Sequence, residues 1–195
     1  MKKGDITKKG FTIIEVALVL AIAGAIFLMI FIALPALRTS QRDTGRRESV
    51  ISAADNVKKY QSDNRGALPG ASDNITEESP LTVNFSRDVS GKDPVATSWA
   101  GFYKKYLGEN FIDPDGEEYQ LLIMKCGAAK DSASCSTSVN DAIASHTDTF
   151  KDSNYTMMFI VQAKCSGESV VGTDNPRKLA IVYKLEGAGT YCSNT

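Results

Sequence analysis

The stretch KKGFTIIEVALVL, residues 8–20, decides how this chain is built. Two lysines and a glycine lead directly into apolar residues, and one acid, Glu15, follows a few positions later. The 22 residues from Val16 to Leu37 then carry no charge. As a helix this run is about 33 Å long, which matches the ~30 Å hydrocarbon core of a bilayer. The sequence therefore predicts one transmembrane helix.

Two other interpretations of this run are weaker. A core helix of a soluble protein rarely extends so far without a polar face. A cleaved secretory signal would use Ala21-Ile22-Ala23 as its small-residue site. However, Glu15 interrupts the apolar part of such a signal, and the chain stays apolar well past Ala23.

The charges that flank the run predict its orientation. The residues before it include one acid, Asp5, and four lysines: Lys2, Lys3, Lys8 and Lys9. Positive charge tends to stay on the cytoplasmic side of a membrane, so the N-terminus is predicted to lie inside and the rest of the chain outside. The far flank is also basic, from Arg38 to Arg47, and the shortness of the N-terminal tail supports the same orientation.

An amphipathic continuation of the helix is predicted over residues 38–65, after a membrane part over residues 11–37. Its apolar residues recur at helical spacing and form one stripe that can pack on another element: Val50, Ala53, Ala54, Val57 and Tyr60. Gly45 interrupts this region and is expected to be a soft or bent point. Gly66 and the Pro69-Gly70 pair are expected to end the helix.

The remaining residues, 66–195, are predicted to form a globular head. Three runs rich in β-branched and aromatic residues indicate strands, and the last two are expected to form a hairpin: 118–126, 155–165 and 177–186. Residues 98–111 are expected to contain a short helix. The predicted fold class is α+β, with the long helix packed on a small antiparallel sheet.

The four cysteines all follow the apolar run: Cys126, Cys135, Cys165 and Cys192. An even number in an exported region indicates two disulfides, for which three pairings are possible. The Gly-rich tail can fold back, so we favour Cys165–Cys192 with Cys126–Cys135 as a local link. A zinc site is disfavoured, because no C-x-x-C spacing occurs and His146 is the single histidine.

The head and the helix that precedes it carry opposite charge. Residues 66–195 contain 11 Lys and Arg against 17 Asp and Glu, whereas residues 37–65 contain 7 against 4. An acidic head is a poor nucleic-acid surface, so direct nucleic-acid binding is not expected. The basic helix has three possible surroundings, namely anionic lipid headgroups, acids of a neighbouring copy, or solvent.

No enzyme signature is present, because the single histidine has no placed nucleophile and the chain has no Gly-rich phosphate loop. No cofactor is therefore expected. Calcium is the one ion for which the sequence offers candidate ligands. Asp113, Asp115 and Glu117 alternate as in a calcium loop. Such a loop needs Gly at its sixth position and Glu at its twelfth, where this chain has Glu118 and Met124. A turn that leads into a strand is the simpler interpretation.

Glu15 is the candidate assembly residue. An acid beside a bilayer is costly and indicates a function, yet no Lys, Arg or His lies between it and Arg38. If the chain were cut after Gly10, Phe11 would carry a new positive amine four residues from Glu15. The carboxylate could then pair with this amine in its own chain or with that of a neighbouring copy, and such a pair would set the register between copies.

Residues 8–16, KKGFTIIEV, resemble the type IV prepilin signal, in which a basic leader ends in Gly and Phe-Thr-x-x-Glu opens an apolar helix. Type IV pilins, type II secretion pseudopilins and competence pilins share this pattern. The resemblance implies a leader over residues 1–10, a prepilin peptidase that cuts between Gly10 and Phe11, and methylation of the new amine. It also implies polymerisation through the helix, which loosens in filaments at positions such as Gly24 and Pro35.

The head resembles two kinds of subunit within this family, pilins and pseudopilins. The segment between Cys165 and Cys192 resembles the disulfide-bounded loop of many pilins. Residues 103–121 resemble the Asp-Pro turn of pseudopilins, but they lack the Trp that follows it there. The two predicted disulfides and the larger head favour a surface pilus for adhesion or twitching motility. The alternatives are a type II secretion or competence pseudopilin and a membrane-anchored binding domain that does not polymerise. Expected partners are other copies, the assembly machinery and the cytoplasmic membrane, from which the subunit would pass to the cell surface.

Overall fold

In this computed structural model, residues 10–70, 73, 75, 81–126, 155–187 and 189–195 are described. The chain divides into two compact units, the first ending at Ser40 and the second beginning at Gln41. One α-helix, α1 (Ile13–Asp63), contributes residues to both units. The second unit also contains a short helix, α2 (Trp99–Phe102), and π-helical turns at Phe85–Val89 and Tyr103–Leu107. The strands are β1 (Leu81–Val83), β2 (Gln120–Lys125), β3 (Thr156–Val161), β4 (Ala163–Ser166), β5 (Ser169–Gly172), β6 (Leu179–Lys184) and β7 (Thr190–Asn194).

The first half of α1 is apolar and uncovered. Among the described residues, this is the single helix long and apolar enough to cross a membrane, and none of its most apolar window is buried. The helix continues through Pro35, and the Thr39 hydroxyl donates to the Pro35 carbonyl at 3.2 Å.

The second half of α1 packs within the head. All five residues of the predicted stripe are buried there, as their spacing predicts: Val50, Ala53, Ala54, Val57 and Tyr60. Gly45, predicted to be a soft or bent point, does not interrupt the helix. The helix continues through it, and a Cβ at this position would lie 2.8 Å from Cγ of Pro114. Gly45 is therefore where the turn that carries Pro114 comes closest to the helix.

The main sheet has five strands in the order β1-β2-β3-β6-β7. The α+β class is as predicted, but the sheet is mixed rather than antiparallel, because β2 and β3 run parallel with Leu121 opposite Met157. The other three pairs are antiparallel. A parallel pair needs a connection of a dozen or more residues. The chain between β2 and β3 meets this requirement, although most of it lies outside the described residues.

Both faces of the sheet are buried. Residues of one parity, such as Ile123, Phe159 and Ile181, join the stripe of α1 in the larger core. Their neighbours of the other parity, such as Met158 and Val182, form a second core with Cys165 and Cys192 beside it. The central strands are therefore continuous apolar runs.

The predicted strand over residues 155–165 is two strands. Gln162 has φ 58° and breaks the run, so that β3 ends in the main sheet and β4 pairs with β5 in a small one. The predicted pairing of the last two runs is confirmed for β3 and β6, although the β4–β5 hairpin lies between them in the sequence. The predicted Cys165–Cys192 disulfide is also confirmed. The second predicted pairing involves Cys135, which lies outside the described residues.

Candidate functional site

The N-terminus of α1 is held by a reciprocal pair of side chains. The Thr12 N–H and its hydroxyl both donate to Oε2 of Glu15, at 2.9 and 3.0 Å. In return, the Glu15 N–H donates to Oγ1 of Thr12 at 3.3 Å. This is a capping box, in which a Thr that precedes the helix and a Glu three residues later satisfy backbone donors that have no partner inside the helix.

Thr12 is a partner of Glu15 that was not predicted from the sequence, where only a cation was expected. The pattern Thr-x-x-Glu ahead of an apolar run is the signal that indicates it. The box also fixes where α1 begins. Gly10 and Phe11 stay outside the helix, and Phe11 is 88% exposed.

The large apolar side chains that follow the cap are also exposed, by 42–90%. Ile13 is 90% exposed and Phe31 72%. Gly24 lies in the same segment, and a Cβ there would meet no atom within 4 Å in this chain. The segment therefore offers an apolar surface on every side for something outside the described chain to cover.

The predicted calcium residues form the turn that contacts α1. The Gly116 N–H donates to the Asp113 carbonyl at 2.8 Å, so the chain turns here as predicted. The Asp113 carboxylate accepts two hydrogen bonds from Arg46, from Nε at 2.9 Å and from an Nη at 3.0 Å, and Asp115 accepts a third at 2.8 Å. A guanidinium thus lies where the calcium hypothesis placed an ion, and no group of three potential metal ligands occurs among the described residues.

Arg46 is the centre of a larger ionic cluster. Its second Nη lies 2.7 Å from the Glu186 carboxylate, and the side chain is only 2% exposed. Asp43, one turn earlier, accepts the N–H groups of Glu186 and Gly187 at 2.9 Å each. Arg42 completes the cluster at its exposed edge with pairs to Asp115 and Glu186. Four acids of the chain therefore surround two arginines of α1, and we call this set the Arg46 cluster.

The charges of the Arg46 cluster reinforce one another. Burial by itself raises the pKa of Asp113, but the hydrogen bonds from Arg46 and from the Asp115 N–H outweigh it, so the pKa lies below the ordinary value. Burial and the charge of Asp113 raise the pKa of Tyr183, whose hydroxyl donates to Asp113 at 3.0 Å. Asp113 is thus a buried carboxylate with several donors around it.

Two basic residues of α1 have surroundings that none of the three hypotheses included. Arg42 and Arg46 bind acids of their own head. The sequence contains a sign of this pairing. Arg46 precedes Val50 by one helical turn and so lies on the same face as the buried stripe. A charge on that face was a sign of a buried partner.

Comparisons of the chain with models of protein families, with curated proteins and with solved structures found no match.

Proposed function

We propose that this chain is a structural subunit of a type IV pilus, cut between Gly10 and Phe11 and polymerised through the apolar half of α1. One observation carries the proposal. An exposed, non-helical Gly10-Phe11 junction stands directly before a capped helix whose apolar surface has no cover in the described chain.

The junction suits a processing enzyme. A peptidase needs extended backbone that it can reach, and the capping box of Thr12 and Glu15 keeps the helix from extending back over Gly10. The sequence on either side also resembles the prepilin signal. The same glutamate that the signal requires is thus the residue that sets the start of the helix.

The apolar surface suits a subunit that passes from a membrane into a filament. Side chains such as Leu20 and Phe27 are more than half exposed on a helix with no polar face. Lipid covers such a surface before assembly, and the same halves of other copies cover it in the filament. A membrane-anchored domain that does not polymerise would have the same surface, so Glu15 must distinguish the two.

Glu15 has the geometry to serve two partners. Both Thr12 donors contact Oε2, so the second carboxylate oxygen is left for the amine that cutting creates at Phe11. An amine of a neighbouring copy suits this oxygen, because Thr12 already holds the carboxylate in place on its own helix. In apolar surroundings such a pair is strongly favoured over two separate charges.

Within the family we propose a surface pilus that serves adhesion or twitching motility. The Cys165–Cys192 disulfide joins β4 to the edge strand β7, and such a link suits a head exposed outside the cell. The subunit would lie in the cytoplasmic membrane with its N-terminus inside, and then at the cell surface. A type II secretion or competence pseudopilin is the alternative within the family.

Two substitutions at Glu15 test the proposal. Glu15→Val removes both the charge and the capping acceptor, whereas Glu15→Gln keeps an acceptor for the Thr12 N–H and removes only the charge. Both variants are expected to remain in the membrane fraction and to lose the filaments that shearing releases from cells. Glu48→Gln, at an exposed glutamate later in the same helix, is the matched control and should keep them.

The outcomes separate the alternatives. Filaments in both Glu15 variants would contradict polymerisation through Glu15. Filaments in Glu15→Gln alone would show that the cap is required and the charge is not, which contradicts pairing with an amine.

A further inference from the structure

Two exposed arginines lie together where α1 ends, and we call Arg65 and Arg177 the arginine pair. Arg65 directly precedes Gly66, and a Cβ on Gly66 would lie 3.2 Å from Nη1 of Arg177. The Gln61 side chain also donates to the Arg177 carbonyl at 2.7 Å, which fixes this segment to the helix. Neither guanidinium forms an ion pair or a hydrogen bond among the described residues.

The acids that are close to the arginine pair in the sequence leave both charges unpaired. These acids are Asp63 and Asp174, and both are exposed. The Asp63 carboxylate accepts from the Tyr106 hydroxyl at 2.7 Å, and neither acid forms an ion pair within the part of the chain that the structure describes. Two guanidinium groups on one small surface are thus available to an anion from outside the head.

The backbone of Arg65 indicates that its side chain has a use. Its φ of 56° lies in the left-handed region, where glycine fits without strain and a side chain does not. The Gly66 N–H donates to the Gln61 carbonyl at 2.6 Å and closes the end of the helix. In such a closing turn the left-handed residue is usually glycine. An arginine kept at a strained position is typical of a functional surface.

The acidic counterpart lies at the other end of the part of α1 that packs within the head. Residues 113–118 contain four acids, and this segment, which we call the acidic turn, contacts Gly45 through Pro114. The Arg46 cluster binds two of these acids. Glu117 is exposed, and its carboxylate has no partner among the described residues. From Gly45 to Asp63 the helix is about 27 Å long, so these unpaired charges of opposite sign are far apart within one head.

We infer that the arginine pair of one copy binds the acidic turn of another copy, with Glu117 as the carboxylate that it contacts. The inference rests on the proposed filament and names a contact between its heads. Complementary surfaces at two ends of a subunit form a head-to-tail contact, which gives an open helical filament when it does not close into a ring. A guanidinium matches a carboxylate with two N–H groups. One exposed ion pair is weak, but every copy contributes both surfaces, so the contact is repeated along the filament.

Reversal of the charge at either surface tests this contact. Arg177→Glu and Glu117→Arg each place like charges opposite one another, so each should lower the yield of sheared filaments about tenfold. The double variant restores opposite charges and should recover the wild-type yield. Lys164→Glu, at an exposed position in β4, makes the same change in net charge as Arg177→Glu and should keep that yield.

Arg65→Gly separates assembly from folding. Glycine relieves the strained φ, so denaturant unfolding in dodecylphosphocholine micelles should show a head at least as stable as that of the wild type. The variant also loses one guanidinium, so its filament yield should fall several-fold. A purely structural role of Arg65 would change stability and filament yield in the same direction.

The outcomes distinguish this contact from the proposed function. Filaments that require Glu15 but persist in Arg177→Glu would overturn the contact and leave the proposed function intact. If those persistent filaments no longer bind heparin while the wild-type filaments do, the arginine pair belongs to a foreign polyanion instead. A double variant as poor as the single ones would also overturn the contact, because the losses would then arise within the head. A wild-type protein without filaments would contradict the proposed function, and this contact with it.

Discussion

The two halves of α1 share one helical backbone and differ in what covers them. In the first half, Ile13 and Phe31 are largely exposed, and the apolar side chains leave no polar face. In the second half, Val50 and Val57 are completely buried, and the opposite face is polar. The same secondary structure thus leaves its apolar side chains exposed in one half and packs them on the chain's own sheet in the other.

The two halves also differ in whether a packing partner lies within the chain. The second half has its partner within the chain, and both an apolar stripe and the Arg46 cluster fix it to the head. The first half has no such partner among the described residues. Its specific features, the capping box at Thr12 and the Gly10-Phe11 junction, all lie at its beginning. The helix is therefore divided into a part that packs within the head and a part that the described residues leave uncovered.

The largest expected effect comes from the centre of the Arg46 cluster. Arg46→Ala leaves the buried carboxylate of Asp113 without its cation, which costs about 3–5 kcal/mol of unfolding free energy. Denaturant unfolding of the full chain in micelles measures this, because the fluorescence of the buried Trp99 reports the head. Arg42→Ala is the control and should change far less, because the Arg42 side chain is 38% exposed and that of Arg46 only 2%. Equal effects of the two variants would contradict the account of the cluster.

A matched pair of valines compares the two halves directly. Val57→Ala removes two buried methyl groups and should lower the unfolding free energy of the head by about 2 kcal/mol. Val19→Ala, in the first half, removes the same groups from a side chain that is 62% exposed. It should leave the head unchanged. A loss of head stability in Val19→Ala would show that the first half also folds onto the head.

Gly45 offers a test in which helix propensity and packing predict opposite signs. Propensity alone predicts that Gly45→Ala stabilises the helix by about 1 kcal/mol. The structure predicts a loss of about 1–3 kcal/mol, because the new Cβ would lie 2.8 Å from the rigid ring of Pro114. Adding Pro114→Ala should remove the clash and recover most of the loss. A stabilised single variant would contradict the close approach of the turn to the helix.

The smallest effect on the unfolding free energy is expected from lowering the pH. Because the pKa of Asp113 is lowered in the folded head, its contribution to stability is present above the unfolded value of about 3.9. It is lost as the pH falls through the lower folded pKa. The unfolding free energy should therefore decline below about pH 4, and Asp113→Asn should flatten this decline. An equal decline in the variant would assign the acid sensitivity to other carboxylates.

Much of the fold was predictable because it depends on local periodicity. The 22 uncharged residues from Val16 predict the long apolar helix, and the spacing from Val50 to Tyr60 predicts the buried stripe. Runs of β-branched residues located β2, β3 and β6. The Cys165–Cys192 disulfide followed from a Gly-rich tail that could return to the sheet. Each of these features is contained in a short window of sequence.

What escaped prediction depends on contacts between distant residues. The direction of β3 relative to β2 is set by a long connection, and no residue of either strand encodes it. The role of Gly45 depends on Pro114, and the burial of Arg46 depends on Asp113, each more than sixty residues away. A cavity near Trp99 and Gln162 is likewise lined by five separate segments. Sequence patterns indicate which residues are unusual, whereas only the fold shows what they meet.

The mass of the mature N-terminus tests the central claim most directly. Top-down mass spectrometry of the protein from sheared filaments or membranes should find a chain that begins at Phe11 and carries one methyl group on its amine. A chain that still begins at Met1, or one that begins at Gly24 after a signal cleavage, would contradict the proposal that this helix is prepared for assembly by a cut at Gly10.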